Sequence, residues 1–461
     1  MQGSHSQCSG GHEMRLSVIG CGYLGAVHAA SMAKLGHEVV GIDIDQNRID
    51  TLSAGQAPFY EPGLPEVLNE ALASGRLRFS TDMASARDAD VHFLCVGTPQ
   101  KAGEYAADLT YVDSAIDALI PYLGEGALVV GKSTVPVGTA ARLDIAIREA
   151  QPSAMLAWNP EFLREGFAVK DTLHPDRLVY GLPVGYAHTI AKAMLDEVYA
   201  ATIKDGTPVV QTDFVTAELV KVAANSFLAT KISFINAMAE LCEITGGDVT
   251  QLADAIGHDK RIGRRFLNAG VGFGGGCLPK DIRAFMARAA ELGASEPLSF
   301  LREVDAINER RRHRMVELTI EECGGSIRGK RIAVLGAAFK PDSDDVRNSP
   351  ALDIAAALQA GGATVIVTDP QALDNAARVQ PTLTYAKPIY EAVLNADAVL
   401  LLTEWSEYRE LDPDSLAQLV RNRCILDGRN VLDPAVWRAA GWSYRALGRA
   451  SANGALSLAT V

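Results

Sequence analysis

A cysteine directly follows three consecutive glycines in the stretch GFGGGCLPKD (272–281). The backbone amides of such a loop can form a nest of N–H donors, which favours the thiolate form of Cys277 and would stabilise an oxyanion beside it. Lys280 and Asp281 add a cation and a candidate base three and four residues further on. Because Cys277 lies in a polar glycine loop and not in an apolar run, we predict that it is a nucleophile.

The other cysteines show no pattern of this kind. They are widely scattered, and with Cys277 they make an odd number, seven, without a C-x-x-C pair. This distribution argues against a disulfide framework and against a zinc site, so we expect no metal and a reducing, cytoplasmic location. We interpret them as core residues or, near the N-terminus, as part of an extension: Cys8, Cys21, Cys95, Cys242, Cys323 and Cys424.

A second glycine-rich stretch, GCGYLG (20–25), fits the pattern G-x-G-x-x-G between a predicted strand and a predicted helix. Gly20 permits the tight turn, Gly22 lets the backbone approach a pyrophosphate, and Gly25 allows close packing of helix on strand. The N-terminus of the helix would offer unpaired N–H groups to the phosphates. We therefore predict a dinucleotide site here.

An acidic residue at the end of the next predicted strand supports this prediction. Asp43 lies eighteen residues after Gly25, where a carboxylate would accept hydrogen bonds from the ribose hydroxyls. An acid at this position repels a 2′-phosphate, which favours NAD over NADP. Arg48 is close enough in sequence to tolerate that phosphate, so it weakens the preference slightly.

Two polar residues interrupt the apolar run AELVKVAANSFLAT (217–230). Lys221 and Asn225 are four residues apart and share one face of a helix. A buried lysine is costly unless a partner compensates its charge. The alternative is that the side chain of Lys221 extends to solvent.

Short β-rich runs alternate with helix-length segments over the first half of the chain, which predicts βαβ units and a parallel sheet. The C-terminal third repeats this plan, but Gly336 is not followed by a second dinucleotide fingerprint. The expected fold class is α/β, with two Rossmann-like doubly wound domains joined by a long central helix. The predicted strands cover 15–20, 37–45, 89–99, 126–134 and 154–162, and then 329–340, 363–370 and 396–405; a predicted helix covers 349–362.

The segment between these regions, 213–247, has no proline, and no glycine before its final pair. A helix of about 33 residues would span roughly 50 Å. Its apolar residues recur on more than one side, so other elements or another subunit must cover it. We predict a central helical domain that forms an oligomer interface, in a homodimer or a higher homo-oligomer. The expected division of the chain is a flexible extension (1–13), a dinucleotide-binding domain (14–210), the helical domain with the cysteine loop (211–325), a second α/β domain (326–447) and a tail (448–461).

Composition excludes several classes of function. The chain has 461 residues and a formal net charge of −13, which disfavours nucleic-acid binding because phosphate backbones require a basic face. No apolar stretch approaches the roughly 18 residues of a membrane helix. A small anionic ligand needs only a local basic pocket. The basic stretch ERRRHR (309–314) is interpreted as a solvated helix face.

Taken together, these residues resemble the UDP-glucose/GDP-mannose dehydrogenases, and most closely the UDP-glucose type. The likeness extends in order from about residue 14 to about residue 447 and includes the Lys221/Asn225 helix. The matching segments are GCGYLG (20–25), VGTP (96–99), KSTVPVGT (132–139), NPEFLREG (159–166), RIGRRFLNAGVGFGGGCLPKD (261–281), FKPDSDDVRNSP (339–350) and DGRNVLD (427–433).

The resemblance implies two successive oxidations of a sugar C6 alcohol to a carboxylate with two NAD. Cys277 would form a thiohemiacetal and then a thioester. Asp281 and Lys221 would order a water and handle the hydroxyl proton, and Lys221 with Asn225 would stabilise the oxyanion. Glu161 would activate the water that hydrolyses the thioester, with Thr134 holding that water.

The same resemblance implies the ligand contacts. Arg261 would reach the site of a neighbouring subunit. For NAD the residues are Gly20, Cys21, Gly22, Tyr23, Leu24, Gly25, Asp43, Arg48, Thr98, Thr134, Glu165, Lys280 and Arg347. For the nucleotide sugar they are Glu161, Phe162, Leu163, Lys221, Asn225, Arg261, Phe266, Leu267, Phe273, Gly274, Cys277, Phe339, Lys340 and Arg429.

The chain departs from the family pattern at Gly276, where serine is frequent; this could loosen the loop before Cys277. At Leu278 many members have phenylalanine or leucine. Neither position removes a catalytic group. The alternative readings are an enzyme for GDP-mannose or a UDP-N-acetylhexosamine and, from another class, a non-catalytic sensor of NAD or nucleotide sugar. The sensor reading predicts loss of Cys277, Lys221 or Asp281, and all three are present.

Overall fold

The computed structural model describes residues 13–449, and the described chain forms two compact units, divided after residue 223. Cys8 and the predicted extension, apart from Glu13, lie outside the described residues, as does most of the predicted tail. Within the described residues no helix is long and apolar enough to cross a membrane.

The first unit contains eight strands and eight complete helices, together with two short 3-10 helices at Met83–Ala86 and Ile120–Tyr122. The strands are β1 (Arg15–Ile19), β2 (Glu38–Ile42), β3 (Leu77–Ser80), β4 (Val91–Leu94), β5 (Leu128–Gly131), β6 (Met155–Trp158), β7 (Leu178–Gly181) and β8 (Val209–Thr212). The helices are α1 (Tyr23–Lys34), α2 (Gln46–Ser53), α3 (Leu64–Ala73), α4 (Thr110–Leu119), α5 (Thr139–Ala150), α6 (Ala168–Leu173), α7 (Tyr186–Val198) and α8 (Ala200–Lys204).

These strands form one sheet with the order β3-β2-β1-β4-β5-β6-β7-β8. The first six are parallel, and β7 joins β6 by one antiparallel pair, Trp158 with Gly181. Both faces are covered by apolar clusters, since Leu16 and Val18 of β1 belong to one cluster and Ile19 to the other. The order 3-2-1-4-5-6 is that of the Rossmann fold, in which ligands bind at the carboxyl ends of the strands. The predicted parallel sheet is confirmed.

A single long helix, α9 (Phe214–Thr245), begins in the first unit and continues into the second. It ends where Gly246 adopts a left-handed conformation with φ of +84°, which stops a helix at little cost for glycine. The predicted helix over 213–247 is therefore confirmed.

The second unit holds the rest of α9, nine further helices and six strands, with a 3-10 helix at Glu296–Leu298. The strands are β9 (Arg331–Leu335), β10 (Thr364–Thr368), β11 (Thr384–Tyr385), β12 (Ala398–Leu401), β13 (Cys424–Asp427) and β14 (Ser443–Ala446). The helices are α10 (Val249–Gly257), α11 (Leu278–Glu291), α12 (Phe300–Glu322), α13 (Pro350–Ala360), α14 (Leu373–Val379), α15 (Ile389–Val393), α16 (Ser406–Arg409), α17 (Pro413–Ala417) and α18 (Pro434–Ala439).

Its sheet is parallel throughout, in the order β11-β10-β9-β12-β13-β14. Counted from β9, this is again the order 3-2-1-4-5-6, so the second Rossmann-like domain predicted from the sequence is confirmed. The apolar strands read as continuous runs because each is buried on both faces.

The prediction that residues 309–314 form a solvated helix face is wrong for the two central residues, Arg311 and Arg312. Arg311 on α12 is fully buried, and its Nη2 donates to Glu243 of α9 at 3.0 Å. Arg312 is also buried and pairs with Asp353 of α13. The acidic partners come from other helices, so the local sequence did not reveal them.

Candidate functional site

The glycine-rich loop between β1 and α1 has the geometry that a dinucleotide requires. Gly20 has a φ of +88°, in the left-handed region that glycine adopts easily. A Cβ at Gly25 would lie 1.8 Å from the carbonyl oxygen of Gly20, so α1 can begin this close to the strand only with glycine there. At Gly22 a Cβ would meet no atom within 4 Å, which leaves open space in front of the backbone.

The carboxylate of Asp43 lies beside this loop, at the end of β2. Its Oδ2 accepts a hydrogen bond from the backbone N–H of Cys21 at 2.8 Å and from Arg48 Nη1 at 2.9 Å. Its Oδ1 accepts from the N–H of Asp45 at 3.0 Å. The loop and the acid predicted for one site are therefore adjacent, and Arg48 contacts the acid directly.

Two further predicted residues meet at the ends of β4 and β5. The hydroxyl of Thr98 donates to the backbone oxygen of Thr134 at 2.7 Å. Beside Thr134, the hydroxyl of Ser133 donates to the backbone oxygen of Val96 at 2.6 Å. These bonds fix both loops at the carboxyl edge of the sheet, where ligands bind in this fold.

Glu161 and Lys221 form a buried ion pair within the first unit. The Nζ of Lys221 lies 2.8 Å from Oε1 of Glu161, and Oε2 of Glu161 accepts from the N–H of Leu163 at 2.7 Å. Two cations lie near the ring of Phe162, with Lys221 Nζ at 5.6 Å and Arg177 Cζ at 3.8 Å from its centroid. Lys221 is 5% exposed, so the alternative that it extends to solvent is wrong.

Lys132 is a second buried lysine of the first unit. The Nζ of Lys132 donates to Oδ1 of Asn159 at 3.0 Å and to the hydroxyl of Tyr199 at 3.3 Å. Burial lowers the pKa of Lys132 to about 8, although nearby Cys95 and Glu161 oppose the shift. Lys132 directly follows β5 and Asn159 directly follows β6, so the bond joins the ends of the two strands that precede Thr134 and Glu161.

In the second unit, Cys277 lies at the N-cap position of α11 and is exposed. Of the six cysteines that residues 13–449 contain, four are buried and Cys323 is half-buried, and none forms a disulfide. The glycines before Cys277 are required by close packing, because a Cβ at Gly274 would lie 2.4 Å from the carbonyl oxygen of Asn348. The N–H of Gly275 donates to the oxygen of Arg347 at 2.8 Å, so this amide is used inside the protein.

Asp281, one turn into α11, is buried and holds two predicted partners. Its Oδ2 accepts from Nδ2 of Asn225 at 2.6 Å, and its Oδ1 accepts from Nζ of Lys280 at 2.6 Å. Asn225 lies one helical turn after Lys221 on α9, as the spacing predicted. The start of α11 therefore carries Cys277, Lys280 and Asp281, and Asn225 of α9 contacts Asp281 there.

Arg429, a predicted substrate residue of the second unit, uses its side chain to bind the main chain of three other residues. Arg429 donates to the backbone oxygens of Leu402, Gly272 and Phe339 at 2.7, 2.9 and 3.2 Å. It also lines a cavity of about 200 Å³ together with Leu267. Its guanidinium therefore holds the cysteine loop and the loop after β9 together.

The guanidinium of Arg347 fills the space beside Gly276, the position at which serine is frequent in the family. A Cβ at Gly276 would lie 2.3 Å from the guanidinium carbon of Arg347. A serine at position 276 would require the guanidinium of Arg347, which is the end of a flexible side chain, to move.

Lys340 lies over the ring of Phe339, with Nζ 5.6 Å from the centroid.

Four other predicted substrate residues separate into two groups. Arg261 and Phe266 are exposed, and Arg261 pairs with Asp259 at 2.6 Å. Leu267 and Phe273 are buried in apolar clusters with residues of α9 and its neighbours. Their side chains stabilise the fold, and their main-chain groups are hydrogen-bonded inside the protein, those of Phe273 to Asn308 and those of Leu267 to Arg264.

Three charged residues near the site were not singled out from the sequence: Lys132, Glu61 and Glu218. The carboxylate of Glu218, on α9, accepts from the N–H groups of Gly138 and Ala140 at 2.7 Å each, where α5 begins. For Lys132 a signal existed, because a lysine directly after the buried strand β5 requires a partner. For the two glutamates the local sequence carries no signal, since their partners are backbone amides distant in sequence.

These residues fit NAD, although no metal site accompanies them. The open backbone at Gly22 and the acid at Asp43 are the two features that hold a dinucleotide in this fold. Within the described chain no group of three or more His, Cys, Asp or Glu side chains could hold a metal ion.

Comparison with known proteins supports the predicted family over most of the chain. The family models of the UDP-glucose/GDP-mannose dehydrogenases match at residues 14–203 (NAD binding domain), 215–310 (central domain) and 333–434 (UDP binding domain). A UDP-glucose 6-dehydrogenase of Rhizobium meliloti is 42% identical over 439 residues, which cover 95% of this chain and 100% of that protein.

Solved structures give the same result. A UDP-glucose dehydrogenase from the archaeon Pyrobaculum islandicum is 39% identical, with a TM-score of 0.87 over 96% of this chain and 99% of the other. A UDP-D-ManNAc dehydrogenase from Pyrococcus horikoshii is 27% identical, with a TM-score of 0.82 over 95% and 99%. The chain is an NAD-dependent nucleotide-sugar dehydrogenase and belongs to the UDP-glucose/GDP-mannose dehydrogenase family.

Proposed function

We propose that this enzyme oxidises the C6 alcohol of UDP-glucose to the carboxylate of UDP-glucuronate, with two NAD reduced per sugar. The observation that carries the proposal is the exposed Cys277 at the N-terminus of α11, one turn before Asp281. A single oxidation of an alcohol needs no such nucleophile, whereas oxidation of an aldehyde to an acid can proceed through a thioester.

The first oxidation requires a group that removes the proton of the C6 hydroxyl. We assign this role to Asp281 and Lys221 acting through an ordered water, as the resemblance to the family implies; each of the two side chains is buried. When bound, NAD supplies the hydride acceptor for both oxidations. Gly20 to Gly25, Asp43, Thr98 and the segment with Glu165 would hold it.

The second stage takes place on Cys277. Its sulfur adds to the aldehyde to give a thiohemiacetal, whose oxyanion Lys221 and Asn225 stabilise. Loss of the second hydride leaves a thioester. Water activated by Glu161 and held by Thr134 then hydrolyses the thioester, which releases the carboxylate and restores the thiol.

UDP-glucose is favoured over other sugars by the comparisons. The UDP-glucose dehydrogenases are 39% and 42% identical to this chain, and the UDP-D-ManNAc enzyme is 27% identical. The test is kcat/KM for UDP-glucose, UDP-galactose, UDP-N-acetylhexosamines and GDP-mannose with NAD. UDP-glucose should exceed each competitor by at least about 100-fold, the discrimination that missing or unpaired polar contacts give. Higher activity with another sugar would keep the chemistry and change the substrate.

The exposed side of α9 supports a homodimer. Phe227, Phe234 and Leu241 follow one another at seven-residue spacing, and each is exposed, as is Ile244 one turn further. Such a stripe fits a second copy of the same helix. The highly exposed Arg261 would then extend toward the partner's substrate. The scattered cysteines, which include no C-x-x-C pair, support a cytoplasmic location.

A further inference from the structure

A buried carboxylate joins the glycine-rich loop to the segment that carries Glu161. Glu61, in the loop between α2 and α3, is only 2% exposed. Its Oε2 accepts from the hydroxyl of Tyr23 and from the N–H of Gly166, the latter at 2.6 Å. Its Oε1 accepts from the N–H of Ala168 at 2.7 Å. One side chain thus binds donors from two segments of the predicted active site.

The segment that it holds has no regular structure of its own. Residues 159–166 form neither helix nor strand, and side chains bind several of their peptide groups. Glu161 binds the N–H of Leu163, and Asp171 binds the N–H and the guanidinium of Arg164 at 3.0, 2.8 and 2.7 Å. At the far end of the segment, Glu61 is the acceptor for Gly166.

The contact with the glycine-rich loop is equally direct. Tyr23 is the first residue of α1 and one of the predicted NAD contacts. Its hydroxyl lies 3.2 Å from the N–H of Gly166, and its ring lies 4.7 Å from that of Phe59, two residues before Glu61. Burial raises the pKa of Glu61, and its hydrogen-bond donors oppose this shift.

We propose that Glu61 is a positioning residue, which fixes the segment bearing Glu161 and Glu165 to the glycine-rich loop through Gly166 and Tyr23. The inference rests on the proposed function for its effect on turnover. Removal of the carboxylate leaves the ion pair of Glu161 and Lys221 present but mobile, so thioester hydrolysis slows more than the two oxidations do.

The test compares Glu61→Gln with Glu66→Gln, the same change on an exposed side chain five residues later. A glutamine has one acceptor oxygen, so it cannot accept from both Gly166 and Ala168 as the carboxylate does. Hydrogen exchange of the peptide covering 159–170, measured without substrate, should rise about tenfold in Glu61→Gln only. Exchange in β4 and β5 should stay unchanged.

Pre-steady-state kinetics with UDP-glucose and NAD separates positioning from general damage. In Glu61→Gln the NADH burst should keep the wild-type amplitude, while the steady rate falls about tenfold and the acyl adduct on Cys277 accumulates. A smaller burst with an unchanged rate per active site, or exchange that rises evenly over the domain, would overturn the proposal. Exchange and kinetics equal to those of Glu66→Gln would also overturn it. If the wild type fails to oxidise UDP-glucose, the proposed function fails, and the exchange measurement alone still decides whether Glu61 holds the segment.

Discussion

The ammonium of Lys221 and the carboxylate of Glu161 lie 2.8 Å apart although sixty residues separate them, and only 6% and 14% of their side-chain surfaces are exposed. Removal of either member of such a pair would leave the other charge without its partner in a buried place, which is costly. A base beside a cation can hold and deprotonate water, which is the role proposed for Glu161.

Replacement of Glu161 by glutamine should therefore separate hydrolysis from oxidation. The amide can still accept from Lys221, so we expect the fold to persist while kcat falls by about 10²–10⁴-fold. The adduct on Cys277 should become visible in the intact mass of the protein. Glu149→Gln, on an exposed acid of α5, serves as the control. Wild-type kcat in Glu161→Gln would remove Glu161 from the mechanism.

Asp43 should decide between the two dinucleotides. In Asp43→Asn the loss of the negative charge should raise KM for NAD by about 10-fold or more, because hydrogen bonds to a charged group contribute about 1.5–3 kcal/mol. The ratio of kcat/KM for NADP to that for NAD should rise as well, with Arg48 free to contact the 2′-phosphate. Asp45→Ala removes the N-cap of α2 instead and should lower stability without changing this ratio. An unchanged ratio in Asp43→Asn would contradict the assignment.

The sequence predicted eight of the fourteen strands of the described chain and the long helix α9, because their patterns are local. The run ATVIVTDP (363–370) contains the buried strand Thr364–Thr368, and the glycine pair after residue 245 marks the end of α9. Apolar runs between turn residues are typical of strands buried on both faces, whatever the rest of the chain does.

Partners distant in sequence could not be predicted in this way. The residues around Lys221 do not indicate that Glu161 is its partner. The basic stretch around Arg311 likewise does not indicate the ion pair with Glu243 of α9. Glu61 is a lone acid in a loop, and its acceptor role depends on Gly166, 105 residues later. The resemblance to a family supplied residue roles, and the structure supplied these pairings.

The apolar stripe on α9 predicts the oligomeric state. Phe234→Asp places a charge in its middle and should convert a dimer to a monomer, measured by light scattering after size exclusion. Ile145→Asp changes an equally exposed apolar residue of α5 and should leave the dimer intact. A Phe234→Asp protein with the wild-type mass would show that the interface lies elsewhere.

Lys132 should give stability a characteristic dependence on pH. Its pKa is lowered to about 8 in the folded chain and is about 10.5 in the unfolded chain, so the unfolded chain binds more protons between these values. The cost of the buried charge is complete below pH 8 and is relieved as pH rises toward 10.5.

The measurement is the free energy of unfolding of the wild type relative to Lys132→Met, from denaturant titrations between pH 7.5 and 10.5. Relative to the variant, the wild type should gain about 3 kcal/mol over this range. Lys101→Met, at an exposed lysine, should show no such change. A difference between wild type and Lys132→Met that is independent of pH would show that Lys132 titrates normally.

The most direct test of the account is the amount of NADH formed per UDP-glucose consumed at completion. Two NADH per sugar, with product formation lost in Cys277→Ser, is the predicted result, because the thioester on Cys277 links the second oxidation to hydrolysis. One NADH per sugar, or two with full turnover in Cys277→Ser, would contradict the role of Cys277.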